Sequence, residues 1–108
     1  MKVYIASQYY HGDQEQNVMR QISTFHALAV HGFKPFAPLL GHFIDKHYRF
    51  DYDWWLEWCF EWVKVCDCVL RLEGKSNGAD KEVELAKKLG IPVYYSINEL
   101  MKNETNNN

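Results

Sequence analysis

The sequence predicts an α/β protein, a small doubly wound parallel sheet of four or five strands in the order 2-1-3-4, with helices on both faces. Three observations predict it. Short β-rich segments alternate with helical patterns, which implies parallel pairing through right-handed crossovers. Apolar residues make up 47% of the 108 and charged residues 24%, a balance that supports one small core and excludes long disorder. No apolar run approaches the roughly 20 residues needed to span a bilayer.

The elements follow in order. Residues 2–7, KVYIAS, read as a short buried strand. A polar and aromatic loop, residues 8–13, leads to a helix over residues 14–30, with Val18, Ile22, Phe25 and Ala29 as its apolar stripe and Gly32 as its stop. Residues 33–37 form a strand that Pro35 confines to an edge, because proline lacks a ladder donor. Residues 38–52 show no period and read as a long loop with one helical turn; three aromatics, Phe43, Tyr48 and Phe50, argue against disorder there.

Asp53 is the expected cap of the next helix, Trp54 to Val65. Trp55, Trp58, Cys59, Trp62, Val63 and Cys66 share one side of it, and Trp54 and Phe60 widen the apolar arc to about 240°. One sheet does not need so broad a stripe. The surplus is covered by the long loop, by a second subunit, or by a crowded core. Residues 67–72 form another buried strand. A helix runs from Ala79 to Leu89, stops at Gly90, and is followed by a strand over residues 91–95 and a short helix over 97–102. Residues 1–102 thus form a single domain, and residues 103–108, NETNNN, a polar tail expected to fray.

The formal charge, 12 minus 14, is -2, which leaves no basic excess for binding a nucleic-acid backbone. The expectation is no nucleic acid and no membrane as partner. Cys59, Cys66 and Cys68 are odd in number, and the start MKVYIAS reads as a strand and not a secretory leader, so the thiols are expected reduced and the protein cytoplasmic. Cys66-Asp67-Cys68 resembles half a metal site with no second pair; no metal and no organic cofactor is expected.

Ligands of such sheets bind beyond the carboxyl ends of the strands where the order reverses. That edge comprises residues 7–13, 38–42 and 73–78. The helix after Ser76-Asn77-Gly78 carries Val83, Ala79, Ala86 and Leu89 inward, and Glu82 falls within the same arc. A carboxylate on a buried face needs a reason, since desolvation opposes its charge. Catalysis is one reason and a structural hydrogen bond another. Ser76 and Gly78 lie where a hydroxyl and backbone donors suit an anion. Neither GxxxxGK nor GxGxxG occurs, so ATP cleavage and a standard dinucleotide site are unsupported. Tyr9 and Tyr10 are loop candidates for stacking on a base, Tyr4 is either core or site, and His42 follows Gly41 where it could meet a ligand.

These segments resemble the nucleoside 2-deoxyribosyltransferase superfamily, including 2'-deoxynucleoside 5'-phosphate N-hydrolase-like proteins. KVYIASQYYHG is similar to the family's opening strand and ligand-contacting loop. WLEWCFEWVKVCDCVLRL is similar to its helix leading to a strand after an Asp. SNGADKEVELAKKLGIPVYY is similar to its signature of small-residue turn, buried Glu and following strand. The resemblance covers most of residues 2–95 and implies a flavodoxin/Rossmann-like fold. It implies that Glu82 attacks the anomeric carbon, that Ser76 and Gly78 contact phosphate, and that Tyr4, Gln8 and Gly12 lie near the ligand. Many members carry an Asp eight residues before the Asp that opens the next strand; here that position is Cys59. Asp51 and Asp53 are nearby in sequence, and Asp53 is the nominated acid. The family is commonly oligomeric, with sites completed by a neighbour, so a homodimer through residues 54–65 is expected. The function expected is cleavage or transfer at the N-glycosidic bond of a deoxynucleoside or its 5'-monophosphate; the alternatives are a non-catalytic nucleotide- or nucleotide-sugar-binding module and a structural partner protein docking through the Trp-rich helix.

Overall fold

A computed structural model describes residues 1–105. The chain runs β1 (Lys2–Ala6), α1 (Gln14–Val30), β2 (Lys34–Phe36), a 3-10 turn (Pro38–Leu40), α2 (Gly41–Asp45), α3 (Tyr52–Val63), β3 (Cys68–Arg71), α4 (Asn77–Lys88), β4 (Val93–Tyr94) and α5 (Ile97–Thr105). All strand pairs are parallel, and the order β2-β1-β3-β4 is the expected flavodoxin/Rossmann-like winding. β2 lies at an edge, where Pro35 sits opposite Val3 and its missing N–H costs no ladder bond.

The two-residue alternation of β1 divides the molecule. Val3 and Ile5 join Leu28, Phe33, Cys68, Leu70 and Leu100 in one core layer. Tyr4 and Ala6 join Val63, Cys66, Val69, Ala79 and Ala86 in the other. Tyr4 therefore projects toward α3 and α4 as a consequence of strand geometry. Asp67 fastens the start of β3 to the start of β1: its Oδ2 accepts from Lys2 N at 2.7 Å, and its own N–H donates to Lys2 O at 2.8 Å.

Several local expectations are corrected. In α1 the buried residues are Asn17, Val18, Gln21 and Leu28, while Phe25 and Ala29 are exposed. The inward face is rotated because two amides belong on it. Asn17 Nδ2 donates to the carbonyls of Tyr9 and His11. Gln21 Nε2 donates to Ile5 O and Ser7 Oγ, and its Oε1 accepts from Leu39 N. Buried amides are tolerated when their bonds are made. Asp51, not Asp53, caps α3, accepting from Trp54 N at 2.8 Å, and the helix ends at Val63. Leu89 is exposed at the C-cap of α4 and not inward. α4 opens at Asn77, so Glu82 lies in its second turn. The long loop holds the 3-10 turn and α2. α5 extends through residues 103–105 of the expected tail; residues 106–108 lie outside the described residues.

Among the described residues, no helix is long and apolar enough to cross a membrane.

Candidate active site

A cavity of about 360 Å³ opens above the carboxyl ends of β1 and β3. Its walls come from the loop after β1, the segment 38–45, α3 and the first two turns of α4. This is the position at which β1 and β3 send their connections to opposite faces.

Glu82 is on the wall of this cavity and only 6% exposed. Helical spacing from the Ser76 cap aims it there: Ser76 Oγ accepts from Ala79 N at 3.0 Å, and Ala79, Glu82, Val83 and Ala86 form the buried face. The Tyr4 hydroxyl, fully buried beneath it, donates to Glu82 Oε2. The Cys59 thiol, from α3, is a second hydrogen-bond partner. Burial pushes the Glu82 carboxyl up to about 7, against the opposing effects of the Tyr4 and Cys59 hydrogen bonds and the Arg71 charge. Burial, then the Glu82 charge, raises Tyr4 well above the usual phenol range. The same two causes push Cys59 up to about 12, so it is a neutral thiol. The carboxylate is thus the one group of the three that ionises near neutrality.

The first turn of α4 adds Ser76, Asn77 and Gly78 to the wall, with Lys81 beyond them. The N–H groups of Asn77 and Gly78 precede the helical ladder, and the helix's positive end lies with them. Across the cavity the lining is aromatic: Tyr9, Tyr10, Tyr52 and Trp55, with His42 and Asp45. Tyr9 and Tyr10 meet edge-on at 4.8 Å. The Tyr9 hydroxyl, held above its ordinary range by burial, meets His42 Nδ1, and His42 Nε2 is buried with no hydrogen-bond partner among the described residues. Asp45 Oδ1 accepts from Trp55 Nε1 at 2.9 Å and Phe50 N at 3.1 Å. Those bonds, Trp55 first, hold its carboxyl below the usual range, so it remains an anion and a poor acid.

A family model described as "Domain of unknown function (DUF7768)" matches residues 1–96. The chain belongs to this family. No curated protein matches it in sequence. Among solved structures it is similar to a 2-deoxyribosyltransferase from the psychrotolerant bacterium Bacillus psychrosaccharolyticus, with a TM-score of 0.63 and 21% identity over 94% of this chain and 79% of that one. At that identity the likeness is one of fold, and it is the fold implied by the resemblance of the three sequence segments.

Of the expected site residues, Tyr9, His42, Ser76, Gly78 and Glu82 line one cavity. Tyr4 stands behind Glu82 instead of at the surface of the cavity. Gln8 does not line it: its Nε2 donates to Asn17 Oδ1 at 3.2 Å and its side chain fills the space beside Gly74. Gly12, with φ +79°, serves the loop's left-handed turn and also lies off the cavity. Asp53 is exposed on the first turn of α3 and absent from the lining, because the helix begins one residue before it and Asp51 takes the cap. Asp45, Tyr52, Trp55 and Lys81 line the cavity and carry no signal in the sequence beyond membership of an aromatic loop or an amphipathic helix.

Proposed function

We propose that the protein cleaves or transfers at the N-glycosidic bond of a deoxynucleoside or deoxynucleoside 5'-monophosphate, with Glu82 as nucleophile. The observation that carries this reading is Glu82 itself, a buried carboxylate on a cavity wall with Oε2 steadied by Tyr4. The similar solved structure is that of a 2-deoxyribosyltransferase, which supports the same class of chemistry. A Glu82 oxygen attacks C1', forming a C–O bond as the C–N bond breaks and its electron pair leaves with the base. The base takes a proton; the unpartnered Nε2 of His42 supports that side chain, rather than Asp53, as the donor. Water then attacks C1' and releases the sugar, or a second base does so and completes transfer. The aromatic wall suits the planar base, and the Ser76–Gly78 turn suits a 5'-phosphate.

The test is base release from a panel of deoxynucleosides and their monophosphates. Turnover by the wild-type protein and a loss of about 10³-fold or more in Glu82→Gln support the proposal. No turnover, or turnover unchanged in Glu82→Gln, overturns it.

One observation favours a second reading, a non-catalytic nucleotide- or nucleotide-sugar-binding module. Cys59, a neutral thiol, occupies the position at which the resemblance implies an acid. Calorimetric binding of a nucleotide with no product after long incubation is its signature.

A homodimer through α3 belongs to the same proposal. Phe50 stacks on Trp54 at 4.0 Å and Phe36 packs on Trp58 and Trp62, so part of the broad apolar arc is covered within the chain. Trp54 at 39% and Trp62 at 41% exposure keep a surface for a second copy. Light scattering that finds a monomer at every concentration rejects the dimer.

A further inference from the structure

Arg71 ends β3 and is only 9% exposed, although no ligand-facing surface of the cavity includes it. A buried guanidinium is costly unless its N–H groups are used. Nη1 donates to Leu72 O, and Nη2 donates to Gly74 O at 2.8 Å and to Asp80 Oδ1 at 3.0 Å. Between those two carbonyls, Glu73 O accepts from Arg20 Nη1. Three successive carbonyls of the turn before Ser76 are therefore tied to cations outside the cavity. The turn is also braced from beneath. Gly74 has φ +134°, and a Cβ there would lie 2.5 Å from Gln8 Oε1, so only glycine admits this contact. The turn delivers Ser76, Asn77 and Gly78 to the cavity, and Asp80 stands on the same helix two residues before Glu82.

We propose that Arg71 is a positioning residue that fixes the Ser76–Gly78 turn and the reacting carboxylate of Glu82 as one unit. A single planar fork joins the end of β3, the turn and the first turn of α4, so the anion-suited wall and the nucleophile keep one spacing. Its charge favours the ionised form of Glu82, and its side chain is not part of the cavity lining. The other groups facing Glu82 are Tyr4 from β1 and Cys59 from α3, with Lys81 beside it on α4 and His42 and Asp45 among the residues lining the same cavity. This inference rests on the proposed role of Glu82.

The test follows Glu82 by carbon NMR titration, its signal assigned by loss in Glu82→Gln, together with steady-state kinetics on whichever deoxynucleotide turns over. Arg71→Gln is expected to move the Glu82 midpoint up and to raise KM. Arg71→Lys keeps the charge but cannot span three acceptors, so the midpoint stays near wild type while KM rises about 10-fold. Asp80→Asn removes the charged acceptor that joins the fork to α4 and keeps both backbone bonds, so KM rises while the midpoint stays near wild type. A midpoint unmoved in Arg71→Gln, in folded protein, overturns the proposal, as does an unchanged KM in Arg71→Lys or in Asp80→Asn. If Arg71→Gln does not fold, the other two variants decide. If no substrate turns over, the titration still reads the coupling, with inorganic phosphate shifts at Asn77 and Gly78 replacing KM. Absence of glycosidic activity and absence of Arg71 control are then separate results.

Discussion

On the α4 side of the cavity, buried and part-buried hydrogen bonds hold the polar side chains. Tyr4 holds Glu82, Ser76 holds Ala79, and Arg71 holds Leu72, Gly74 and Asp80. On the α2–α3 side, rings lean on rings. Trp54, Trp55, Trp58 and Trp62 form an edge-to-face series, Phe50 stacks on the first, Phe43 is half-exposed and Tyr48 stands largely in solvent. The difference suits the two tasks that the proposed function sets. Hydrogen bonds in a low dielectric are directional and hold one geometry, as a nucleophile requires. Ring contacts are weak singly and forgiving in angle, as the recognition of a flat ligand requires. Substitutions on the first wall should act through charge, and those on the second through shape.

The largest effect on stability is expected at Glu82 and depends on pH. Its folded pKa, about 7, lies above the ordinary value of 4.5. Between those values the folded protein holds a proton that the unfolded chain has lost, so stability falls as pH rises from about 4.5 to about 7 and is level above that. The difference of 2.5 units is of order 3 kcal/mol. Glu82→Gln has no such proton. Urea unfolding should find it close to wild type at pH 4 and about 3 kcal/mol more stable at pH 8. Parallel pH curves for the two proteins would show that Glu82 is not held in a desolvating site. The variant gains stability as it loses the proposed chemistry, a trade expected where function maintains a buried charge.

Gly41→Ala probes the opposite wall, with a smaller effect. A Cβ at Gly41 would lie 2.8 Å from Trp55 Cζ3 and 3.0 Å from Cη2. The ring must shift, and because Trp55 lines the cavity and bonds Asp45, the displacement narrows the site. The expected loss is about 2 kcal/mol by thermal unfolding, with weaker nucleotide binding. The Glu82 titration should be unaffected. A changed Glu82 midpoint would mean that the two walls are not independent.

The walls also differ in how far the sequence reveals them. α4 has a simple period, so a single carboxylate on its apolar face stands out, although the helix opens at Asn77, two residues before the expected Ala79, because Ser76 caps it. The order of the sheet was likewise legible, because Pro35 forces its strand to an edge and short strands alternate with helices. Residues 38–50 have no period, so nothing in them separates Asp45 from Tyr48, although one lines the cavity and the other is 76% exposed. Asn17 and Gln21 look like solvent-facing positions of α1. They are buried because the backbone groups they bond are supplied by distant segments. Arg71 is concealed for the same reason: a strand pattern identifies a buried position without saying which carbonyls a guanidinium there will meet.

Phe50→Ala tests the mildest version of the contrast. Phe50 is 43% exposed, stacks on Trp54 with an interplanar angle of 15° and meets Trp55 edge-on, while its backbone N–H donates to Asp45. Alanine removes both ring contacts and leaves that N–H in place. The cost should be about 1 kcal/mol, the scale of a partly exposed aromatic pair, with a shift in tryptophan emission as Trp54 loses its cover. Asp45 should retain its bonds, and turnover, where found, should change less than threefold. A loss of turnover comparable to that of Glu82→Gln would mean that the aromatic wall sets the chemistry as well as the fit, and the division of labour between the two walls would fail.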